Sequence, residues 1–207
     1  EIGRRLGYGY GGGILVHETS TKATLSFNVV TENYANGAGS GIFVDDGASA
    51  LIQNELVYAN ACGSAGGSGI YVDGFGPGVG SSAVLRNVTV ANHACKDQTA
   101  GGNALFVERE SNVQVVDSIF WGNGGDDVYV NQDSKLDVRY SDAEERIDGV
   151  GNIQSDPRFV DARGDFHLLS TFGHYDSRTK TYTAADAFMS PCVDTGNPLS
   201  VYANETQ

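Results

Sequence analysis

The chain has 207 residues, the length of one or two domains, and its 13 basic against 26 acidic side chains leave a net charge of −13. That balance excludes nucleic acid as a partner, because phosphate binding needs a basic surface, and it disfavours anionic membranes for the same reason. Glycine is abundant at 28 without a collagen period, no apolar run reaches the roughly 20 residues of a membrane span, and three cysteines are too few for a disulfide scaffold.

Four strings align in chain order: Gly13-Ile14-Leu15-Val16, Gly41-Ile42-Phe43-Val44, Gly69-Ile70-Tyr71-Val72 and Ala104-Leu105-Phe106-Val107. Asp127-Val128-Tyr129-Val130 is a fifth without the small residue. The spacing is 28 residues twice, then 35, then 23. The long unit holds the Gly-rich insertion Gly74 to Gly80, which a surface loop accepts at low cost. A second apolar segment follows each string: Leu25 to Val30, Leu51 to Val57, Val84 to Val90, Val113 to Phe120 and Leu136 to Val138. No sustained 3.6-residue period accompanies them. Units this short, all strand and turn, predict an all-β right-handed parallel β-helix of about five to six rungs with an irregular C-terminal segment. Residues 1–153 form the rungs and 154–207 the segment that packs on them.

Stacking at about 4.8 Å turns equivalent positions into columns, and strand side chains alternate between faces. Ile14, Ile42, Ile70, Leu105 and Val128 face inward with Val16, Val44, Val72, Val107 and Val130. Leu15, Phe43, Tyr71, Phe106 and Tyr129 then face outward as an apolar stripe. Such a patch asks for a cover or a ligand: the tail from Asp156, which offers Phe159, Phe166, Leu168 and Leu169; a second subunit; or glycan rings. The strand exits carry His17, Asp45, Asp73, Glu108 and Asn131. Stacked carboxylates repel by roughly 1–4 kcal/mol, so they splay into solvent, protonate or share a cation. Calcium on Asp45, Asp73 and Glu108 is the cation reading. Asn33, Asn60, Asn92 and Asn123 close four units and suit a structural amide column.

Cys62 and Cys95 follow their closing asparagines in neighbouring rungs, at a spacing open to a disulfide or to two free thiols. Cys192 reads as a small packing group. His17, His93, His167 and His174 show no metal-binding spacing, and Arg109, Lys135, Arg139 and Arg146 read as solvated surface. Asp45-Asp46 and Asp126-Asp127 read as turns, as does Arg163-Gly164-Asp165. Asn87-Val88-Thr89 and Asn204-Glu205-Thr206 have the form of glycosylation acceptors. No capping helix is written into Glu1 to Tyr10, so the first rung is expected to be covered by another chain or by further sequence, giving head-to-tail association.

From Asn152 the chain reads Asn-Ile-Gln-Ser-Asp-Pro-Arg-Phe-Val-Asp, then Gly164-Asp165-Phe166-His167-Leu168, then Ser190-Pro191-Cys192-Val193-Asp194-Thr195-Gly196-Asn197-Pro198. This order resembles the end of right-handed parallel β-helix repeat proteins of bacterial surfaces, of the choice-of-anchor type, and the Gly-rich, Asn-closed rungs are similar to polymorphic outer-membrane proteins. The resemblance implies an extracellular or cell-surface protein with a structural or adhesive role, self-associating or binding glycans. The alternative is a polysaccharide lyase or glycoside hydrolase of β-helix type, or an inactive fragment of one. The polygalacturonase motifs and the pectate-lyase Arg-x-Pro-x-x-Arg string are absent, which favours the non-catalytic reading.

Overall fold

The computed structural model describes residues 4–5, 8–63, 67–96, 103–131, 133–176 and 178–200. Five parallel strands stack in one sheet, in the order Val128–Val130, Leu105–Glu108, Ile70–Asp73, Ile42–Asp45 and Ile14–His17. The register is the repeat alignment itself, with Ile14 beside Ile42, Ile42 beside Ile70, Ile70 beside Leu105 and Leu105 beside Val128. A second, bent sheet holds Lys22–Ser26, Ser49–Tyr58, Ser82–Ala91, Asn112–Val116 and Lys135–Arg139, and beyond the bend Val29–Thr31, Ile119–Trp121 and Asp142–Ala143. A narrow third sheet stacks Tyr34–Ala35, Ala61–Cys62 and Ala94–Cys95.

The bend is a single residue per rung. Phe27, Asn54, Asn87, Asp117 and Tyr140 occupy that column, with φ from 49° to 60°. The left-handed residue swings the strand by a corner without a loop, so long strands such as Ser49–Tyr58 keep an alternating burial pattern on both sides of it. The two inward columns of the first sheet meet Ile52, Leu85, Val115 and Val57, Val90, Phe120 from the second sheet in one continuous core. Gly41 shows how tight the rung joins are: a Cβ there would lie 2.4 Å from the Gly69 carbonyl oxygen.

A polar column crosses this interior, shifted from the one read in the sequence. Asn33, Asn60, His93 and Asn123 share it; Asn92 does not. The Asn60 amide accepts the Asn33 N–H at 3.0 Å and donates to the Val30 carbonyl at 2.9 Å. Asn92 takes the left-handed position before it (φ 56°), as Glu32, Ala59 and Gly122 do in their rungs, and its amide donates to the Ala162 carbonyl of the tail. Left-handed geometry placed an asparagine one step early in this rung.

The aromatic stripe is not a surface. Phe43, Tyr71 and Phe106 are 3 %, 6 % and 8 % exposed and form a second small core with Ala38, against which Tyr10 and Leu15 pack. The rings stack along the column, Phe43 on Tyr71 at 5.0 Å and Phe106 on Tyr129 at 4.4 Å. Among the described residues the tail is not the cover, and the rings are buried without a second subunit. The glycine turns that lead into the strands fold over the rings, with Gly39 at φ 69° and Gly67 at φ 75° bringing backbone onto Phe43 and Tyr71. Only Tyr129, at the last rung, stays 39 % exposed.

The last rung is closed by its own chain. Ile147 packs against the core, the Glu145 carboxylate accepts the N–H groups of Asp127 and Val128 at 3.0 and 2.9 Å, and Asn152 donates to the Val138 carbonyl at 3.0 Å. Asp127, read in the sequence as a turn residue, is buried and accepts the Asn123 amide at 2.7 Å. A head-to-tail contact at this end would have to displace the cap. Residues 1–3 and 6–7 of the expected N-terminal contact, and the Asn204-Glu205-Thr206 string, lie outside the described residues.

The tail packs elsewhere than over the stripe. Phe159–Asp161 pairs antiparallel with Asp165–Leu168, turning at Arg163-Gly164, and Phe166 lies on Tyr58 of the second sheet at 5.0 Å. Tyr175–Asp176 and Thr181–Tyr182 form a second hairpin. Farther on, Asn197 and Ser200 donate to the Asp117 carboxylate.

Candidate functional site

Two features of the outer surface concentrate chemistry. The first is a groove of about 870 Å³ between the bend column of the second sheet and the tail. The solenoid supplies Phe27, Asn54, Asn87, Asp117 and Tyr140, and the tail supplies Asp194, Thr195 and Pro198. The column explains the lining: a residue at the left-handed corner points away from the core, so whatever occupies it is presented outward. Two amides in register, with Asn87 donating to Asn54 at 3.2 Å, lie between aromatic rings at the groove's two ends of the column. At the inner wall Cys192 donates its thiol to Asp142 at 3.1 Å. Burial, then the Asp142 carboxylate, pushes that thiol up and keeps it protonated, so its role is a hydrogen-bonding one rather than the purely apolar one read from sequence.

The second feature is the strand-exit column of the first sheet. Asp73 stands beside Glu108 in register, and His17 beside Asp45. Arg109, read as solvated from the sequence, reaches back to Asp73 at 2.6 Å and to Glu108 at 3.9 Å. The Tyr71 hydroxyl donates to Glu108. The upper half of the expected calcium column therefore takes its positive charge from an internal guanidinium. Asp73 is 4 % exposed; burial raises it to about 8, against the pull of Arg109. Burial and the adjacent Asp46 raise Asp45 to about 6. Burial, then Asp73 and Glu108, also raises the Tyr71 hydroxyl.

The lower half of the column has a different set. The His17 ring nitrogen Nδ1 lies 3.6 Å from Asp45 and 3.5 Å from Asp46. Asp46, read as a turn residue, is thus part of the cluster. The rule that Asp46 and Arg109 each follow a strand-exit carboxylate was present in the aligned repeats and could have found both.

Cys62 and Cys95 are register partners in the third sheet, joined by a disulfide with Cα atoms 4.4 Å apart. The remaining histidines are held by carboxylates or backbone: His167 by Asp165 at 2.6 Å, His174 by Asp186 at 2.8 Å, and His93 by the internal column.

No helix among the described residues is long and apolar enough to cross a membrane. Searches against curated proteins and against solved structures find no match. The family model described as a right-handed beta helix region matches residues 12–151, which begins at the first glycine turn and ends inside the cap that closes the last rung. The chain belongs to the right-handed β-helix family.

Proposed function

We propose that this chain is an extracellular or cell-surface β-solenoid that binds glycans in the groove between its bend column and its tail. The groove carries the reading. Its volume is that of a small-molecule site, and its lining combines two aromatic rings with in-register amides and carboxylates. Rings offer apolar faces to pyranose C–H groups, while Asn and Asp pair with hydroxyls. The disulfide supports the compartment, since such links persist where thiols are oxidised. Self-association is a companion property: Phe27, Val29 and Tyr34 of the first rung leave apolar surface exposed. The test is a glycan array and affinity electrophoresis with the wild type and Tyr140→Ala. Retained glycans that Tyr140→Ala releases support the groove; binding by neither, or by both alike, overturns it.

A second reading, polysaccharide cleavage, has one specific observation behind it. A buried carboxyl that burial raises to about 8, beside a guanidinium and a second carboxyl, is of the kind that exchanges a proton near neutral pH. Incubation with uronate polysaccharides, followed near about 235 nm for unsaturated product and by reducing-end release, tests it. Turnover abolished by Asp73→Asn supports it, and no turnover on any polymer tried removes it.

A further inference from the structure

We propose that His17, Asp45 and Asp46 form a binding site for a first-row divalent cation of the zinc class. The three ligand atoms all lie within 4.8 Å of one another, and the imidazole nitrogen is 3.5 and 3.6 Å from the two carboxylate oxygens. A tetrahedral zinc ion with bonds near 2.1 Å sets its ligands about 3.4 Å apart, which the two imidazole-to-carboxylate distances already match.

The backbone builds this convergence. His17 and Asp45 are register partners on adjacent rungs. Successive residues in a strand point to opposite faces, but Asp46 takes φ 53° and turns its carboxylate back toward Asp45. Its N–H donates to Asp45 Oδ1 at 2.7 Å, which fixes that carboxylate and presents Oδ2 to the imidazole. Thr19 donates to the Asp46 carbonyl at 3.2 Å and steadies the turn.

A separate observation points to a ligand. Asp73 is the next carboxylate up the column, one residue beyond the Val44–Val72 register pair, and its charge is felt together with that of Asp45. Its Oδ2 is taken by Arg109, while its Oδ1 is buried and accepts no hydrogen bond. A buried carboxyl oxygen that no donor reaches, with Asp45 as its charged neighbour, leaves this stretch of the column short of positive charge. The column thus divides by charge: Arg109 neutralises the Asp73–Glu108 end, and the end that lacks a guanidinium has the imidazole.

The ligand set selects the ion. Calcium takes six to eight oxygens at 2.3–2.6 Å, whereas a site with a nitrogen donor and two carboxylates suits zinc and its neighbours. This replaces the calcium expectation on Asp45, Asp73 and Glu108 with a site one rung lower. The His17 side chain is half-exposed, so water completes the coordination.

The experiment uses the full chain, stripped with chelator and dialysed against zinc chloride, with bound metal counted by mass spectrometry. Cobalt(II) gives an independent absorption spectrum. One zinc per chain is expected, with affinity for zinc above that for calcium. His17→Gln, at an exposed position that spares the core, is expected to weaken zinc by about 100-fold or more, at least what loss of an outer-shell partner costs. His174→Gln is expected to bind as the wild type does. Absence of stoichiometric zinc overturns the site, as does zinc binding that His17→Gln leaves within threefold of the wild type or that His174→Gln abolishes. Far-UV circular dichroism confirms that each variant is folded.

Discussion

Asn60 donates its backbone N–H to Nδ1 of His93 on the next rung at 3.1 Å, and the other ring nitrogen of His93 meets the Val57 carbonyl at 3.0 Å. The imidazole does here what an asparagine amide does in the rungs on either side. Acceptance at Nδ1 and donation from Nε2 define one neutral tautomer, and burial lowers the ring to about 4. His93→Leu is expected to leave the Asn60 N–H unpaired at a cost of about 1–3 kcal/mol, whereas His93→Asn keeps an acceptor in the column and most of the stability. Urea unfolding of the two variants distinguishes them; equal losses would mean that packing, not the hydrogen bond, holds this position.

The pH dependence follows from the buried titratable groups. Between pH 4 and 6.5 the unfolded chain binds the proton that His93 refuses, so this term raises stability as pH rises. Asp45, Asp127 and Asp73 act oppositely: raised to about 6, 7 and 8, they hold protons in the folded state that the unfolded chain has released, so stability falls from near pH 4 upward through each of those values. Burial raises Glu55 and Asp142 as well, which act in the same sense, so the carboxyls together outweigh the one histidine. The melting temperature is expected to be highest near pH 4–5 and to decline toward pH 8, and Asp73→Asn should flatten the decline above pH 6. A melting temperature that rises across that range would contradict it.

The covered stripe makes an asymmetric prediction. Phe43→Ala empties a site enclosed by Ala38, Gly39 and Tyr71 and should cost about 3–5 kcal/mol. Tyr129→Ala, at the open end of the same ring stack, should cost far less. Gly39→Ala should be destabilising without removing any contact, since its φ is 69° and a Cβ would stand 2.7 Å from that of Phe43. Thermal melts rank the three, and a Tyr129→Ala loss equal to that of Phe43→Ala would refute the enclosure.

The disulfide links rungs 33 residues apart in sequence. Replacing Cys62 and Cys95 together with serine should lower stability by about 2–4 kcal/mol, mainly through the unfolded state, with little change in circular dichroism. Reductant should match the double variant; a wild-type melt insensitive to reductant would show that the link contributes nothing.

The rungs were legible because burial on a solenoid repeats: Ile14, Ile42, Ile70 and Leu105 are the same position four times, and the sequence aligns as the strands do. What escaped was the meaning of outward. Alternation correctly turned Phe43 and Tyr71 away from the main core, but it could not say that glycine turns at Gly39 and Gly67 would fold back over them. Glycine-rich segments carry no apolar signal, and their use here is the backbone conformation itself. The polar column slipped by one at Asn92–His93 because asparagine serves both the left-handed position and the amide position next to it. The groove was invisible for another reason: Tyr140 and Asp194 lie far apart in sequence and outside any shared motif.

The tail provides the last prediction, because the chain's single tryptophan reports on it. Trp121 lies on the second sheet beside Phe159, Leu169 and Phe188 of the tail, while Phe166 holds the same segment to Tyr58 at 5.0 Å and to Phe159 at 5.1 Å. None of these tail contacts reaches the columns of the first sheet, so the tail can loosen without opening the core. Phe166→Ala removes the ring that bridges sheet and hairpin, at about 1–3 kcal/mol for a half-buried aromatic. Trp121 emission is expected to shift to the red and to become more accessible to a neutral quencher, while the strand signal in circular dichroism melts near the wild-type temperature. Truncation after Ser155, which keeps the Asn152 cap, should reproduce that emission, and it should leave Phe43, Tyr71 and Phe106 covered, without dye binding at the stripe. Unchanged Trp121 emission in Phe166→Ala would show that the hairpin is held by other contacts, the Asn92 to Ala162 and Asp117 to Ser200 hydrogen bonds first among them.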